Sequence, residues 1–198
     1  MKATKLLISR LGLFCIICSN VVYCNLAFAQ SMQVIGGGSI AQECFRASAN
    51  AARTGIAGSR DLTACDNALQ HGSLKRPDLI ATYVNRGVIN VALQNYRDAA
   101  KDYNKALRLD PDTAEAYLNR GNLWYIARRD DEAISDYDKS LEFDFPKAHV
   151  AFLNKGIVYE SQGNLEQAKI NYIAALERFE NWPSALKKLV RVNEKIDK

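Results

Sequence analysis

The 198-residue chain has 26 basic and 22 acidic side chains, a formal net charge of +4, and is 48% hydrophobic and 24% charged, a balance that suits one packed domain and excludes a disordered chain. The basic surplus does not point to nucleic acid or an anionic membrane. Lys2, Lys5 and Arg10, and no acidic residue, lie in the first 29 positions, so the remainder is nearly neutral.

Residues 1–29 read as an export signal: the three basic residues precede an apolar stretch from Leu11 to Phe28, which ends in Ala27-Phe28-Ala29, a small-x-small cleavage pattern. The mature chain is then expected to start at Gln30, exported to the periplasm or secreted, with no membrane insertion after cleavage. A transmembrane anchor is the competing reading, but Ser19, Asn20 and Asn25 interrupt the stretch, and a spanning helix wants roughly 20 nearly unbroken apolar residues. Cys18 and Cys24 follow Ile17 and Tyr23 rather than a small residue, which disfavours a lipid anchor. Of the five cysteines, Cys15, Cys18 and Cys24 fall in this segment, and the remaining pair, Cys44 and Cys65, suggests one disulfide in an exported protein.

Residues 30–39, with Gly36-Gly37-Gly38-Ser39, form a flexible lead-in. Residues 40–79 hold two helical stretches expected to pair as a degenerate hairpin that caps the helices from residue 80 onward. There Cys65-Asp66-Asn67-Ala68-Leu69 echoes Tyr103-Asn104-Lys105-Ala106-Leu107. Antiparallel helices would bring Cys44 and Cys65 together, and closing this loop would stabilise the cap by roughly 3 kcal/mol. The alternative is two buried free thiols.

From residue 80 the chain repeats itself. Tyr83, Asn85-Arg86-Gly87, Ala99, Tyr103 and Ala106 recur 34 positions later as Tyr117, Asn119-Arg120-Gly121, Ala133, Tyr137 and Ser140. A third copy, shifted by 35, reads Phe152, Asn154-Lys155-Gly156, Ala168, Tyr172 and Ala175. The period and the pattern of aromatic, Gly, Ala-x3-aromatic and Pro resemble the tetratricopeptide repeat. The small residues belong where the two helices of a hairpin approach closely, and the aromatics fill the space between those contacts. In the first copy Tyr83 to about Leu93 makes one helix, Gln94-Asn95 the turn and Tyr96 to Leu109 the second. Asp110-Pro111 ends it. The repeats are assigned to 80–113, 114–148 and 149–182, with residues 183–198 as a capping helix. In that helix Leu186, Leu189 and Val190 would cover the third repeat while Lys187, Lys188, Arg191 and Lys195 stay in solvent.

The expected fold is all-α, a right-handed superhelical solenoid of antiparallel helix hairpins. Where the repeat family usually has Leu, this chain has Arg86, Arg120 and Lys155. Asp102 and Asp136 are placed to pair with the first two, or the charges are simply solvated.

The chain offers no chemistry by sequence. His71 and His149 stand alone, the glycine run lacks a phosphate-loop lysine, and the acid pairs Asp130-Asp131 and Asp110-Asp112 sit at helix boundaries, where carboxylates cap free amides. We therefore expect no catalytic site, cofactor or metal. The resemblance implies a protein-interaction module whose partner is a protein or extended peptide and not nucleic acid; the alternative is an accessory or regulatory subunit of an envelope enzyme complex. By the same resemblance Asn85, Asn119 and Asn154 would form a ladder along the concave groove, each amide offering a donor and an acceptor to an extended peptide. Val88, Leu118, Asn122, Tyr125 and Ile157 would supply selectivity. The competing role for the three asparagines is to fix the stacking of adjacent repeats. Partner identity and oligomeric state are not readable.

Overall fold

The computed structural model describes residues 32–33, 38–143 and 145–197, so the export signal and cleavage site lie outside the described residues. Among these are nine α-helices and no strand: α1 (Gly38–Thr54), α2 (Ser59–His71), α3 (Arg76–Ala92), α4 (Tyr96–Leu109), α5 (Ala114–Ile126), α6 (Asp130–Leu141), α7 (Ala148–Ser161), α8 (Leu165–Arg178) and α9 (Pro183–Ile196). Consecutive helices pair as α1–α2, α3–α4, α5–α6 and α7–α8, with α9 laid against α8. The first helices of neighbouring hairpins also touch, α1 on α3, α3 on α5 and α5 on α7. That crowding along one edge makes it the inner side of the curved stack.

Each of the three hairpins from α3 to α8 turns at a residue in the left-handed region: Gln94 at φ 62°, Arg128 at 61° and Gly163 at 77°. They occupy one repeat position, and only the third copy carries the residue that adopts this conformation without strain. The helix α3 begins at Arg76, seven residues before the expected Tyr83. Pro77 in its first turn explains the difference, because proline is well suited to helix starts, where its missing N–H would be unbonded anyway. Gly38 likewise starts α1 rather than ending a linker, and Gly36 and Gly37 are outside the described residues.

Packing within a repeat rests on a small residue facing a ring. Tyr103, Tyr137 and Tyr172 are fully buried, as are Ala99, Ala133 and Ala168. A Cβ placed on Gly87, Gly121 or Gly156 would stand 2.5, 2.7 or 2.6 Å from the tyrosine Cε1 of the same repeat, so no other residue fits without displacing the ring.

The cap is closed by the bond between Cys44 and Cys65, whose Cα atoms are 4.6 Å apart. Both are fully buried and pack with Ala51 of α1 and with Val88 and Ile89 of α3.

At the other end α9 presents a different face from the one expected. Ala185 and Val192 are fully buried and Leu189 and Ile196 pack on the core, whereas Leu186 and Val190 are exposed. The i, i+4, i+7, i+11 set defines the buried stripe, and Ala185 takes the place that Ala116 and Ala151 hold in α5 and α7.

Of the four cations expected in solvent on α9, Arg191 and Lys195 are exposed and also pair with an acid. Glu160 of α7 accepts from Arg191 (2.6 Å), Lys195 (2.8 Å) and the Tyr172 hydroxyl (2.8 Å). Burial would raise the Glu160 pKa, but these hydrogen bonds outweigh it and hold it at about 2. A carboxyl whose folded pKa lies below its ordinary 4.5 contributes stability that is complete above that value and is lost as pH falls towards 2. The melting temperature is therefore expected to fall from pH 5 to pH 3, with α9 loosening first. In Glu160→Gln that part of the pH dependence disappears; an unchanged acid limb would remove Glu160 as its source.

Candidate inner-edge interaction site

Two rows of polar residues run along the first helices of the hairpins, and they differ in what they hold. The outer row is the cations. Arg86 donates to both Asp102 oxygens, at 2.6 and 3.0 Å, and to Asp66 of the preceding hairpin at 2.7 Å. Arg120 donates to Asp136 twice at 2.7 Å and to Asn104 of the preceding hairpin at 2.7 Å. Lys155, whose repeat carries Asn171 where the others have an acid, pairs with the cross-hairpin Asp138 and lies over the Tyr159 ring.

The intra-repeat pairs match expectation; the second arm does not, and it places Asp66, Asn104 and Asp138 at one equivalent position. Each cation thus fastens its hairpin to the one before it. Burial opposes charge on Arg86, but the hydrogen bonds and negative charges of Asp102 and Asp66 prevail and raise its pKa. Burial raises the Asp102 pKa, so its pair with Arg86 forms against a desolvation cost, and removing one partner would leave a buried charge uncompensated, unlike the loss of an exposed pair, which contributes about 0–1 kcal/mol.

The inner row is the asparagines, all three buried: Asn85 0%, Asn119 1% and Asn154 0% exposed. Their partners differ. Asn85 bonds the main chain of Met32, 53 residues away: the Met32 N–H donates to Asn85 Oδ1 and Asn85 Nδ2 donates to the Met32 carbonyl, both at 2.8 Å. Asn154 instead donates to Asn122 Oδ1 of the adjacent repeat at 2.7 Å, and the same oxygen accepts from the Tyr137 hydroxyl at 2.9 Å. Asn154 therefore has the stacking geometry, whereas Asn85 grips a backbone. Asn122 Nδ2 is buried with no hydrogen-bond partner among the described residues.

The neighbours assigned to selectivity are core residues. Val88 packs in the cap cluster, while Leu118, Tyr125 and Ile157 lie in the large C-terminal cluster, all at 4% exposure or less. Their apolar side chains are spent on stacking the hairpins.

A residue expected in solvent joins the row. Lys188 follows Asn154 by 34 positions, so α9 puts a cation where the repeats have an amide. It is half-buried, and burial together with the charge of Arg191 pushes its pKa down to about 8. The alignment of Ala185 with Ala151 is the sequence signal that could have revealed it. Among the described residues no group of three or more His, Cys, Asp or Glu side chains is arranged to hold a metal ion, and no helix is long and apolar enough to cross a membrane.

Comparison with known proteins agrees with the period and the hairpin geometry. Residues 85–149 and 150–181 match two family models, each described as tetratricopeptide repeat. Residues 85–181 are thus similar to tetratricopeptide repeats. A comparison with curated protein sequences returns no match. Similar solved structures include PilF of Pseudomonas aeruginosa, with a TM-score of 0.68 and 19% identity, covering 82% of this chain and 72% of that one. PilW, a widely conserved type IV pilus biogenesis factor, has a TM-score of 0.64 and 24% identity over 79% of this chain and 70% of its own. MamA from Desulfovibrio magneticus RS-1 has a TM-score of 0.59 and 18% identity over 81% and 88%. At such identities the likeness concerns the fold: an all-α tetratricopeptide-like solenoid.

Proposed function

We propose that this tetratricopeptide chain is an exported, non-enzymatic interaction module, a scaffold that holds a protein through an extended segment on the inner edge of the solenoid. The observation that carries this reading is the Asn85 amide, which bonds a main-chain N–H and C=O at once and so recognises extended backbone without reading a side chain. Asn119 repeats that position in the next hairpin, and the buried Asn122 donor, unbonded among the described residues, lies one turn further along α5. Asn154 is assigned to stacking.

Export and an envelope location draw support from the basic-apolar-small N-terminus and from the paired cysteines, which persist in oxidising compartments. PilF and PilW have the same architecture, and PilW is a pilus biogenesis factor. An assembly role at the cell envelope would suit a module of this kind.

The test is affinity capture from the envelope fraction with the wild-type chain, Asn85→Ala/Asn119→Ala and Asn154→Ala. A defined partner should be recovered by wild type and lost with Asn85→Ala/Asn119→Ala at a melting temperature within a few degrees. Asn154→Ala should lower the melting temperature and keep the partner in its folded fraction. Equal recovery of the partner by all three proteins would refute the groove reading.

A further inference from the structure

The residue that Asn85 holds belongs to the chain itself, and this changes what a partner would meet. Met32 presents its N–H and its C=O on the same side to one amide, as residues of a hydrogen-bonded antiparallel strand pair do. The Asn85 side chain thus acts as a one-residue strand partner. The Met32 side chain is half-buried between two clusters, one containing Ile80 and Val84 of α3 and the other Ala41, Ala68 and Ala81 at the junction of cap and first repeat. Backbone bonds and an apolar seat together make a complete subsite for one residue of an extended peptide.

We propose that this subsite is a peptide-binding position which the chain fills with its own residue Met32, and that an external ligand is an extended peptide with an unbranched apolar side chain that must displace it. The inference rests on the groove reading given above.

Its physical basis is the tether. Only five residues separate Met32 from the start of α1 at Gly38, and a short tether gives a ligand an effective concentration of order millimolar. A free peptide with the same contacts would be outcompeted at micromolar concentration. Asn85 selects for backbone alone, so exchange of one extended segment for another requires no rearrangement of the amide. The self-segment would keep a buried donor and acceptor satisfied until the partner arrives, avoiding the cost of leaving them unbonded.

The test uses fluorescence anisotropy with a labelled peptide of residues 30–35, Gln-Ser-Met-Gln-Val-Ile, against the full chain. Met32→Pro removes the N–H that Asn85 accepts, and Met32→Asp places a charge in the apolar seat while leaving the backbone free, so a folding defect in one variant does not decide the outcome. Both variants are expected to bind the peptide at least tenfold more tightly than wild type, and adding Asn85→Ala should abolish the gain. Equal binding to wild type and both variants, or a gain that survives Asn85→Ala, would overturn self-occupancy. So would a lower melting temperature in both variants with no gain in peptide binding, since Met32 would then only fasten the cap. Partner capture by wild type is read separately: if it succeeds while the peptide result fails, the groove reading stands and the self-occupied subsite falls.

Discussion

Gly121→Ala is expected to destabilise the chain by about 1–3 kcal/mol, the usual effect of adding a methyl group to a filled core. Helix propensity alone argues the opposite, since alanine in a helix interior is favoured over glycine by roughly 0.5–1 kcal/mol. Packing wins because the new Cβ would sit 2.7 Å from Tyr137 Cε1, 2.9 Å from Cδ1 and 3.2 Å from the Ala133 carbonyl oxygen. The ring has nowhere to go. Tyr137 is fully buried, and its hydroxyl is bonded to Asn122, which also holds Asn154 of the next repeat.

The disturbance should therefore spread from one hairpin to its neighbour. Urea unfolding at fixed slope would show it as a lower midpoint. Tyr137→Leu in the same chain should cost less than the two changes summed, because both act on one volume. A Gly121→Ala protein as stable as wild type would mean that the close approach of α5 and α6 is not required.

The repeat was legible because its determinants are small and aromatic residues at fixed offsets, and those types have few substitutes at a close helix crossing. Arg86 with Asp102 and Arg120 with Asp136 were legible for a similar reason: a spacing of 16 places them opposite each other across one hairpin. The second arm of each cation escaped notice because its partner belongs to the previous hairpin and varies among Asp66, Asn104 and Asp138. Asn154 and Asn85 carry the same residue type at the same repeat position yet bond differently, since Asn122 exists only in the middle repeat, where Val88 and Ile157 stand in the others. In the first repeat Val88 leaves the buried Tyr103 hydroxyl with no hydrogen-bond partner among the described residues. The face of α9 differs from the expected one because Leu186 and Val190 widen its apolar stripe on one side, while the small Ala185 marks the register of the part that is buried. Met32 lay in what reads as a linker, and a tie across 53 residues has no local pattern.

Loss of the Cys44–Cys65 bond should lower stability by roughly 3 kcal/mol, from the entropy regained by an unfolded loop spanning 21 positions. The effect should be confined mainly to the cap. Both sulfurs are fully buried beside Ala51, Val88 and Ile89, so the reduced thiols still pack as small apolar groups and α3 keeps its own hairpin contacts with α4. What is lost is the covalent link between α1 and α2, and α2 is then held by Ala68, by the part-buried Leu62 and by the Asp66 pair with Arg86. Amide exchange after reduction, or in Cys44→Ala/Cys65→Ala, is expected to rise across α1 and α2 and to remain slow in α5 to α8.

Reduction should also reach the groove, because Ala41 and Ala68 of the cap form part of the seat for Met32. Loosening the cap should weaken that seat for the tethered Met32 and for a free 30–35 peptide alike, so reduced Met32→Pro, in which the self-segment no longer competes, should bind the labelled peptide less tightly than its oxidised form. Thiol labelling of denatured, unreduced protein must first find neither cysteine free. Two labelled thiols would remove the bridge, and an exchange increase spread evenly from α1 to α9 would show that the cap is not a separate unit of stability.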